Sequence, residues 1–148
     1  MRMDEAKKIL RELGLHITVP RLLVLKIFLR TSTIIDHTEL MALCEKSINR
    51  ITLYRTLQAF YEHHLLIKVP SSNGITKYIY RGMKEGKPAA ASAELPGRNV
   101  HLICQDCGKI ISIEHFSLPR IDLPKDFEPD FIDLIVNGKC KSCSKPPE

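Results

Sequence analysis

The sequence predicts an α+β protein: an N-terminal winged-helix domain followed by a small C-terminal α/β domain that four cysteines hold together. Three observations predict this fold: helical hydrophobic spacing over residues 1–63, strand-like segments after residue 64, and two C-x-x-C pairs near the C-terminus. At 148 residues and 44% hydrophobic content, the chain can form one ordinary domain or two small ones. We expect domains at 1–81 and 99–148, with a linker or hinge at 82–98.

Four helices are predicted in the first domain. Residues 6–13 place apolar side chains at the i, i+3, i+4, i+7 spacing of an amphipathic helix, and Gly14 follows as a C-terminal stop. A nearly all-apolar second helix at 21–29 suits the centre of a bundle, and a D-x-x-E capping box opens a third at 36–45. The fourth helix, 49–63, carries its large apolar residues on one stripe and has a small, basic outward face.

A hairpin and a linker are predicted after the helices. The strand-like segments 65–69 and 75–80 are separated by a turn that ends in Asn73-Gly74, a strong hairpin signal. Successive helices followed by a hairpin are typical of a winged helix. Residues 82–98 contain three Gly, two Pro and four Ala without apolar periodicity, which predicts a linker. Further strand-like segments lie at 100–103, 110–113 and 131–136.

The charge distribution indicates where a polyanion would bind. The net charge is +5, and residues 1–80 contain 12 Lys or Arg against 7 Asp or Glu, whereas residues 81–148 contain 10 of each. The excess in the first half fits nucleic-acid binding, and a well-solvated surface is the alternative. No run approaches about 18 apolar residues and the N-terminus is charged, so we expect a cytoplasmic protein without membrane contact.

Four of the five cysteines form two C-x-x-C pairs, Cys104 with Cys107 and Cys140 with Cys143. Each pair can bind a metal through two thiolates, and a glycine lies beside each pair, where a tight turn needs permissive backbone. Four cysteine ligands leave no open position, which predicts one structural zinc per chain rather than a catalytic one. Free or disulfide-bonded cysteines and an iron site are the alternatives. Cys44 stands apart on the third predicted helix, where we expect a buried structural thiol.

Four segments of the sequence carry recognisable motifs: GLHITVPRLLVL at 14–25, INRITLYRTLQAF at 48–60, NGITKYIY at 73–80 and HLICQDCGK at 101–109. Together they resemble the ferric uptake regulator (Fur) superfamily of bacterial metal- and peroxide-responsive repressors. The resemblance implies a DNA-binding winged helix, a hinge, and a C-terminal dimerisation domain whose strands pair across a two-fold axis. It also assigns the four paired cysteines to structural zinc. The proline-rich segment 116–130 is a departure, because it replaces a helix of the family.

The fourth predicted helix is the candidate recognition helix. Its Thr52 and Arg55 lie near the side opposite the apolar stripe, which favours contact with DNA over a solvated charge. The resemblance implies that the Tyr54-Arg55 pair meets base edges and phosphates, and a core position is the alternative for Tyr54. It also implies that a basic residue, here His16, reaches the minor groove. Further phosphate or minor-groove contacts are expected from Arg21, Arg50 and Lys77.

The sequence departs furthest from the family that it resembles at the positions where the family binds its sensor metal. Family ligands are commonly His or acidic residues, and the corresponding positions here hold Asn99, His101, Arg81, Ile34 and Ser112. Only His101 is a ligand of the family type, and a hydrogen-bonded structural histidine is the alternative there. We therefore predict no regulatory metal at the usual position. A relocated site would use His101 with Glu114 or His115 and a residue of the other domain, such as His37.

These observations favour a homodimeric, sequence-specific transcriptional repressor that binds a pseudo-palindromic operator in double-stranded DNA. One alternative is a redox-sensing regulator in which oxidation of a C-x-x-C pair ejects the zinc. Another is a zinc-ribbon module that binds protein or RNA, against which the basic first half argues. An enzyme is not expected, because the sequence shows no nucleophile with its base, no open metal site and no phosphate-binding glycine loop.

Overall fold

A computed structural model describes residues 2–31, 33–70, 74–84, 87–88, 99–113, 122–128 and 133–144. The chain divides into two compact units, Met1–Pro88 and Ala89–Glu148, which we call the helical unit and the cysteine unit. Strands occur in both units. The helices of the described residues all lie in the helical unit. None of these helices is long and apolar enough to cross a membrane.

The helical unit begins with four helices: α1 (Arg2–Glu12), α2 (Val19–Arg30), α3 (His37–Leu43) and α4 (Arg50–Glu62). Side-chain caps explain where three of them begin. Thr18, Asp36 and Asn49 each accept a hydrogen bond from a backbone N–H in the first turn of α2, α3 and α4, respectively. The predicted capping box is present, since Glu39 accepts a hydrogen bond from the Asp36 backbone N–H at 2.9 Å.

The end of α1 depends on Gly14. This residue has a φ of +69°, in the left-handed region that a side chain would strain. The reversal lets the Leu15 N–H donate to the Leu10 carbonyl at 2.8 Å, and both leucines enter the core. The predicted helix stop is therefore confirmed.

An antiparallel sheet completes the helical unit, with β1 (Ile35–Asp36), β2 (Leu66–Pro70) and β3 (Thr76–Tyr80) in the order β1-β3-β2. The predicted hairpin consists of β2 and β3, which pair from Leu66 opposite Tyr80 onward. Gly74 has a φ of +78°, and Asn73 lies outside the described residues. Sequence analysis missed β1, because a two-residue strand is too short for any alternation to be detected.

One apolar core joins the helices and the sheet. Its fully buried members come from all four helices and from β2, and they include Leu10, Leu25, Leu40, Leu57 and Leu66. Burial of each such side chain contributes roughly 1.5–3 kcal/mol. The helical unit is therefore stabilised by ordinary apolar packing, which also fixes the position of α4.

The first part of the predicted linker forms a short antiparallel ladder of β4 (Met83–Lys84) and β5 (Lys87–Pro88). Residues 89–98 lie outside the described residues. The division between the two units falls after Pro88, within the segment that the sequence assigns to the hinge.

The cysteine unit is built on a mixed sheet of β6 (Asn99–Cys104), β7 (Ile110–Ile113) and β8 (Asp133–Gly138) in the order β7-β6-β8. The central strand β6 pairs antiparallel with β7 and parallel with β8. All three strands coincide with predicted segments, although 131–132 lie outside the described residues. Residues 122–128 contain a turn and no helix, which fits the presence of Pro124.

Candidate DNA-contact helix and four-cysteine site

Helix α4 has one side in the core and the other in solvent. The core side, at most 5% exposed, consists of Leu53, Thr56, Leu57 and Phe60. This is the i, i+3, i+4, i+7 spacing that fixes the rotation of an amphipathic helix. Asn49 fixes where the helix begins, because its side-chain oxygen accepts a hydrogen bond from the Thr52 N–H at 2.7 Å. The direction of each outward side chain is therefore determined by packing.

The solvent side of α4 differs in part from the predicted one. Arg55 is exposed as predicted, but Thr52 and Ala59 are only partly exposed. The cause is Thr56, which is buried and donates its hydroxyl hydrogen to the Thr52 carbonyl at 2.8 Å, so the core stripe extends toward Thr52. Arg55 and Ile51 are both exposed and lie four residues apart on one side of the helix. The outward face is thus apolar and basic rather than small and basic.

Tyr54 also lies on the solvent side of α4. It is 59% exposed, so the alternative of a core position is wrong. Burial raises the pKa of Tyr78 on β3, and the nearby Tyr54 raises it further through charge repulsion between the two phenolates. Tyr54 therefore projects near the sheet of the helical unit and stays accessible. Arg50, in the first turn of α4, is exposed as well.

The other predicted DNA contacts belong to a loop and a strand of the helical unit. His16 is exposed between α1 and α2, and Nη1 of Arg21 donates to the His16 carbonyl at 2.9 Å. Lys77 is half-buried on β3, where it pairs in register with Asp36 and Val69. Arg21 thus holds the loop that carries His16, a positioning role that the sequence alone did not reveal.

The C-terminal half of α4 is attached to β2 through Lys68. Its Nζ lies 4.1 Å from the centre of the Tyr61 ring and donates to Oε1 of Gln58 at 3.2 Å. Gln58 in turn donates to Oε1 of Glu62 at 3.1 Å. No sequence motif marks these partners, because they meet only after α4 packs on the sheet. This network supports the helix rather than extending its exposed basic surface.

The turn after α4 is held by His63 and Arg81. His63 ends the helix, and its Nδ1–H donates to the Ala59 carbonyl at 2.8 Å. Arg81 is only 8% exposed; its backbone N–H donates to the Leu65 carbonyl at 2.9 Å and its Nη1 to the His64 carbonyl at 3.0 Å. A guanidinium has donors and no acceptor, so Arg81 is a structural cation and not a metal ligand.

The four paired cysteines converge on one point in the cysteine unit. Their Sγ atoms all lie within 4.8 Å of one another, and those of Cys107 and Cys140 are 3.8 Å apart. Sulfurs bound to one tetrahedral zinc at about 2.3 Å would be roughly 3.8 Å apart. The parallel pairing causes this convergence, because Cys104 at the end of β6 is in register with Gly138 of β8, just before the second pair. The arrangement fits a single four-sulfur metal site.

Each C-x-x-C segment is a backbone turn. The Gly108 N–H donates to the Cys104 carbonyl at 2.9 Å, and the Cys143 N–H to the Cys140 carbonyl at 3.0 Å. Gly108 has a φ of +73°, which confirms its predicted role. The same prediction for Gly138 was wrong, since it is a regular residue of β8 where an added Cβ would meet nothing within 4 Å.

The thiols of Cys104 and Cys143 have pKa values shifted in opposite directions. Backbone N–H groups of Cys107 and Cys140 lower the pKa of Cys104 to about 6, and the Cys140 N–H lies 3.3 Å from its Sγ. The pKa of Cys143 is raised to about 12, because its thiol is hydrogen-bonded first to the sulfur of Cys140 and then to those of Cys104 and Cys107. A bound divalent metal favours the thiolate at every position, so metal binding releases protons.

The other cysteine and the candidate regulatory ligands are dispersed. Cys44 is 1% exposed and burial raises the pKa of its thiol, which fits the predicted structural role. His101 is 2% exposed on β6, and Ile34 in the helical unit is 8% exposed. Glu114 and His115 lie outside the described residues. Among the residues that the structure describes, the four cysteines form the one cluster of three or more metal-ligating groups.

A winged-helix unit with an exposed Tyr-Arg pair, followed by a closed four-cysteine site, defines a class of metal-binding transcriptional regulators. A family model described as "Ferric uptake regulator family" matches residues 12–125, and the chain belongs to this family. The resemblance recognised in its motifs is thereby confirmed.

Similar proteins extend the match over nearly the whole chain. The ferric uptake regulation protein of Bacillus subtilis (strain 168) is 28% identical over 153 residues, which cover 97% of this chain and 95% of that protein. The structure of a zinc uptake regulator complexed with zinc and DNA covers 95% of this chain and 91% of its own, with a TM-score of 0.62 and 19% identity. The Vibrio cholerae ferric uptake regulator covers 90% and 98%, with a TM-score of 0.53 and 20% identity. The structural matches show a shared fold.

Proposed function

We propose that the chain is a sequence-specific DNA-binding repressor that acts as a cytoplasmic homodimer on a pseudo-palindromic operator. The observation that carries this proposal is α4, which is anchored in the core on one side and exposes Tyr54 and Arg55 on the other. A recognition helix presents its N-terminal residues to base edges in the major groove. The similar zinc uptake regulator was solved with DNA, which supports the same role here.

The exposed groups divide into base-reading and phosphate-binding roles. Arg55 has the planar donor set that pairs with guanine edges, and Tyr54 and Thr52 flank it on α4. Phosphate and minor-groove contacts are assigned to Arg50, His16, Arg21 and Lys77. Arg21 contributes in addition by holding the loop of His16 through its 2.9 Å hydrogen bond.

Selection from a random pool of DNA duplexes, followed by footprinting and sedimentation, tests this proposal. We expect one enriched sequence with two-fold symmetry, protected by a dimer at physiological salt. A protein that binds all duplexes equally well under these conditions would refute the proposed function.

We propose further that Cys104, Cys107, Cys140 and Cys143 hold one structural zinc per chain. The site offers four thiolates at distances suited to one tetrahedral ion, and a site closed by four protein ligands supplies folding energy rather than catalysis. A regulatory metal at the usual family position is not proposed, because Arg81 is a structural cation and Ile34 has no donor atom. Metal analysis of purified protein should give one zinc per chain.

A second candidate function, redox sensing through a C-x-x-C pair, is favoured by the exposure of Cys107, whose Sγ lies within 4.8 Å of that of Cys104. Peroxide would oxidise one thiolate to a sulfenic acid, and attack by the other thiolate of the pair on its sulfur would form the S–S bond with loss of hydroxide. The two sulfurs would thereby supply two electrons, the peroxide O–O bond would break, and zinc would lose two ligands. Zinc release that accompanies loss of DNA binding under mild peroxide would support this function, and retained zinc would exclude it.

A further inference from the structure

Ile51 is the feature of α4 that the predicted contacts leave unexplained. It is the second residue of the helix and 64% exposed, more than any other large hydrophobic side chain on α4. It lies four residues before Arg55, on the side directly opposite the core stripe that includes Leu53 and Phe60. Tyr54, 59% exposed, lies next to it on the same side. An apolar patch therefore occupies the N-terminal end of the outward face.

Burial in the folded unit does not explain Ile51. A β-branched residue forms helix less readily than Ala, and the first turn of a helix favours caps and acidic side chains instead. Ile51 gains little from burial, since about two thirds of its surface remains in water. Its neighbours along the chain, Arg50 and Thr52, give the same turn a polar surface. An exposed isoleucine in this position suits contact with a ligand that has its own apolar group.

We propose that Ile51 is a specificity-determining residue that reads the 5-methyl group of thymine in the major groove. This inference rests on the proposed function. The N-terminal residues of a recognition helix meet base edges, and thymine is the base that presents a methyl group in the major groove. Ile51 and Arg55 then select two different features of neighbouring base pairs, the methyl group by apolar contact and a guanine edge or phosphate by hydrogen bonds.

Uracil substitution tests the proposal, because uracil pairs like thymine and lacks only the methyl group. The probe is a duplex selected from a random pool by the wild-type protein, in which each thymine is replaced by uracil in turn. Burial of one methyl group predicts about a fourfold loss of wild-type affinity at the contacted thymine. The Ile51→Ala protein should bind the original duplex about fourfold more weakly and should show no further loss with uracil at that position.

Leu43→Ala is the matched control, since Leu43 is an aliphatic residue on α3 with 52% exposure. This variant should keep the wild-type sensitivity to uracil. Equal uracil effects in the wild-type and Ile51→Ala proteins, or no uracil effect in either, would overturn the role of Ile51 while leaving DNA binding established. Failure of the wild-type protein to select any duplex would instead overturn the proposed function itself. The helical circular dichroism of Ile51→Ala, expected to match wild type, separates a lost contact from a lost fold.

Discussion

The helical unit and the cysteine unit differ in what stabilises them. The helical unit has an apolar core that draws on four helices and a sheet. In the described part of the cysteine unit the buried side chains are only Val100, His101, Ile103 and Cys104. Small domains with little apolar burial commonly depend on a metal or a cross-link, and Cys104 belongs both to these buried residues and to the four-cysteine cluster. The proposed DNA-contact helix is therefore fixed by apolar packing, whereas the four-cysteine cluster lies among few buried side chains of the described residues.

Loss of the metal should have the largest effect and should be confined to the cysteine unit. Structural zinc in small domains contributes apparent free energies of about 10–16 kcal/mol, so Cys104→Ser or chelation should unfold residues 99–144. The helical unit should stay folded because its core contains no metal ligand. Hydrogen exchange measured by mass spectrometry would check this, with loss of protection in β6–β8 and retained protection in α1–α4.

Cys44→Ala is the control for this experiment, because Cys44 is a buried cysteine outside the four-sulfur cluster. It should retain one zinc per chain and protected β6–β8 strands. A Cys104→Ser protein that contains no metal and keeps full protection in both units would refute the structural zinc.

A core truncation in the helical unit should give the converse result. Phe60 is fully buried, and Phe60→Ala should lower the free energy of unfolding by about 3–5 kcal/mol through lost burial and a cavity. Urea unfolding followed by circular dichroism would measure this, and zinc content should not change. Tyr61→Ala is the neighbouring control, 41% exposed, and should cost much less. If Phe60→Ala also released zinc, the stabilities of the two units would be coupled.

A change on the outward face of α4 should affect DNA binding and leave the stability of both units almost unaltered. Arg55→Ala should weaken specific binding by about 1–3 kcal/mol and relax the sequence preference, while stability stays within about 0.5 kcal/mol. Arg30→Ala is the matched control, because Arg30 is an exposed arginine at the end of α2. Wild-type operator affinity in Arg55→Ala across a salt titration would show that Arg55 is not a contact.

Lys77→Ala should have a smaller and less selective effect. A lost phosphate contact weakens binding to all duplexes alike and reduces the slope of log K against log salt by about 1. Binding titrations on the selected duplex and on an unrelated one would measure both quantities. A loss confined to the selected duplex would instead assign Lys77 to base reading.

The sequence predicted those features that depend on local chemistry. The cap at Asp36, the stop at Gly14 and the turn at Gly108 follow from a few adjacent residues, and each is present in the structure. The four cysteines could be assigned to one metal site because two C-x-x-C pairs are typical of a four-cysteine zinc site. What the spacing did not reveal is that parallel pairing of β6 with β8 brings the two pairs together.

The features that sequence analysis missed depend on contacts between distant residues. The apolar stripe of α4 was predicted correctly, but it did not include Thr56, which is polar by composition and is buried with its hydroxyl bonded to the Thr52 carbonyl. Arg81 was identified only as an unsuitable ligand, whereas its hydrogen bond to the His64 carbonyl shows a structural role. The burial of Thr56 and the hydrogen bond of Arg81 both depend on how separate segments of the chain pack together.

The smallest expected effect is that of added regulatory metal. Protein that carries one zinc per chain should show no second tight site for Fe(II), Mn(II) or Zn(II), and its operator affinity should change less than tenfold, about 1.4 kcal/mol of coupling. The physical reason is the donor set: Ile34 offers no lone pair, and the Arg81 guanidinium carries a fixed positive charge that opposes a cation. Calorimetric titration of each metal, followed by operator binding on the same sample, would check this.

His101→Ala is the informative variant, because His101 is the one residue of the family's ligand type at these positions. A second site that raises operator affinity tenfold and disappears in His101→Ala would establish a relocated sensor, and would show that signal reception, unlike DNA contact, involves the cysteine unit.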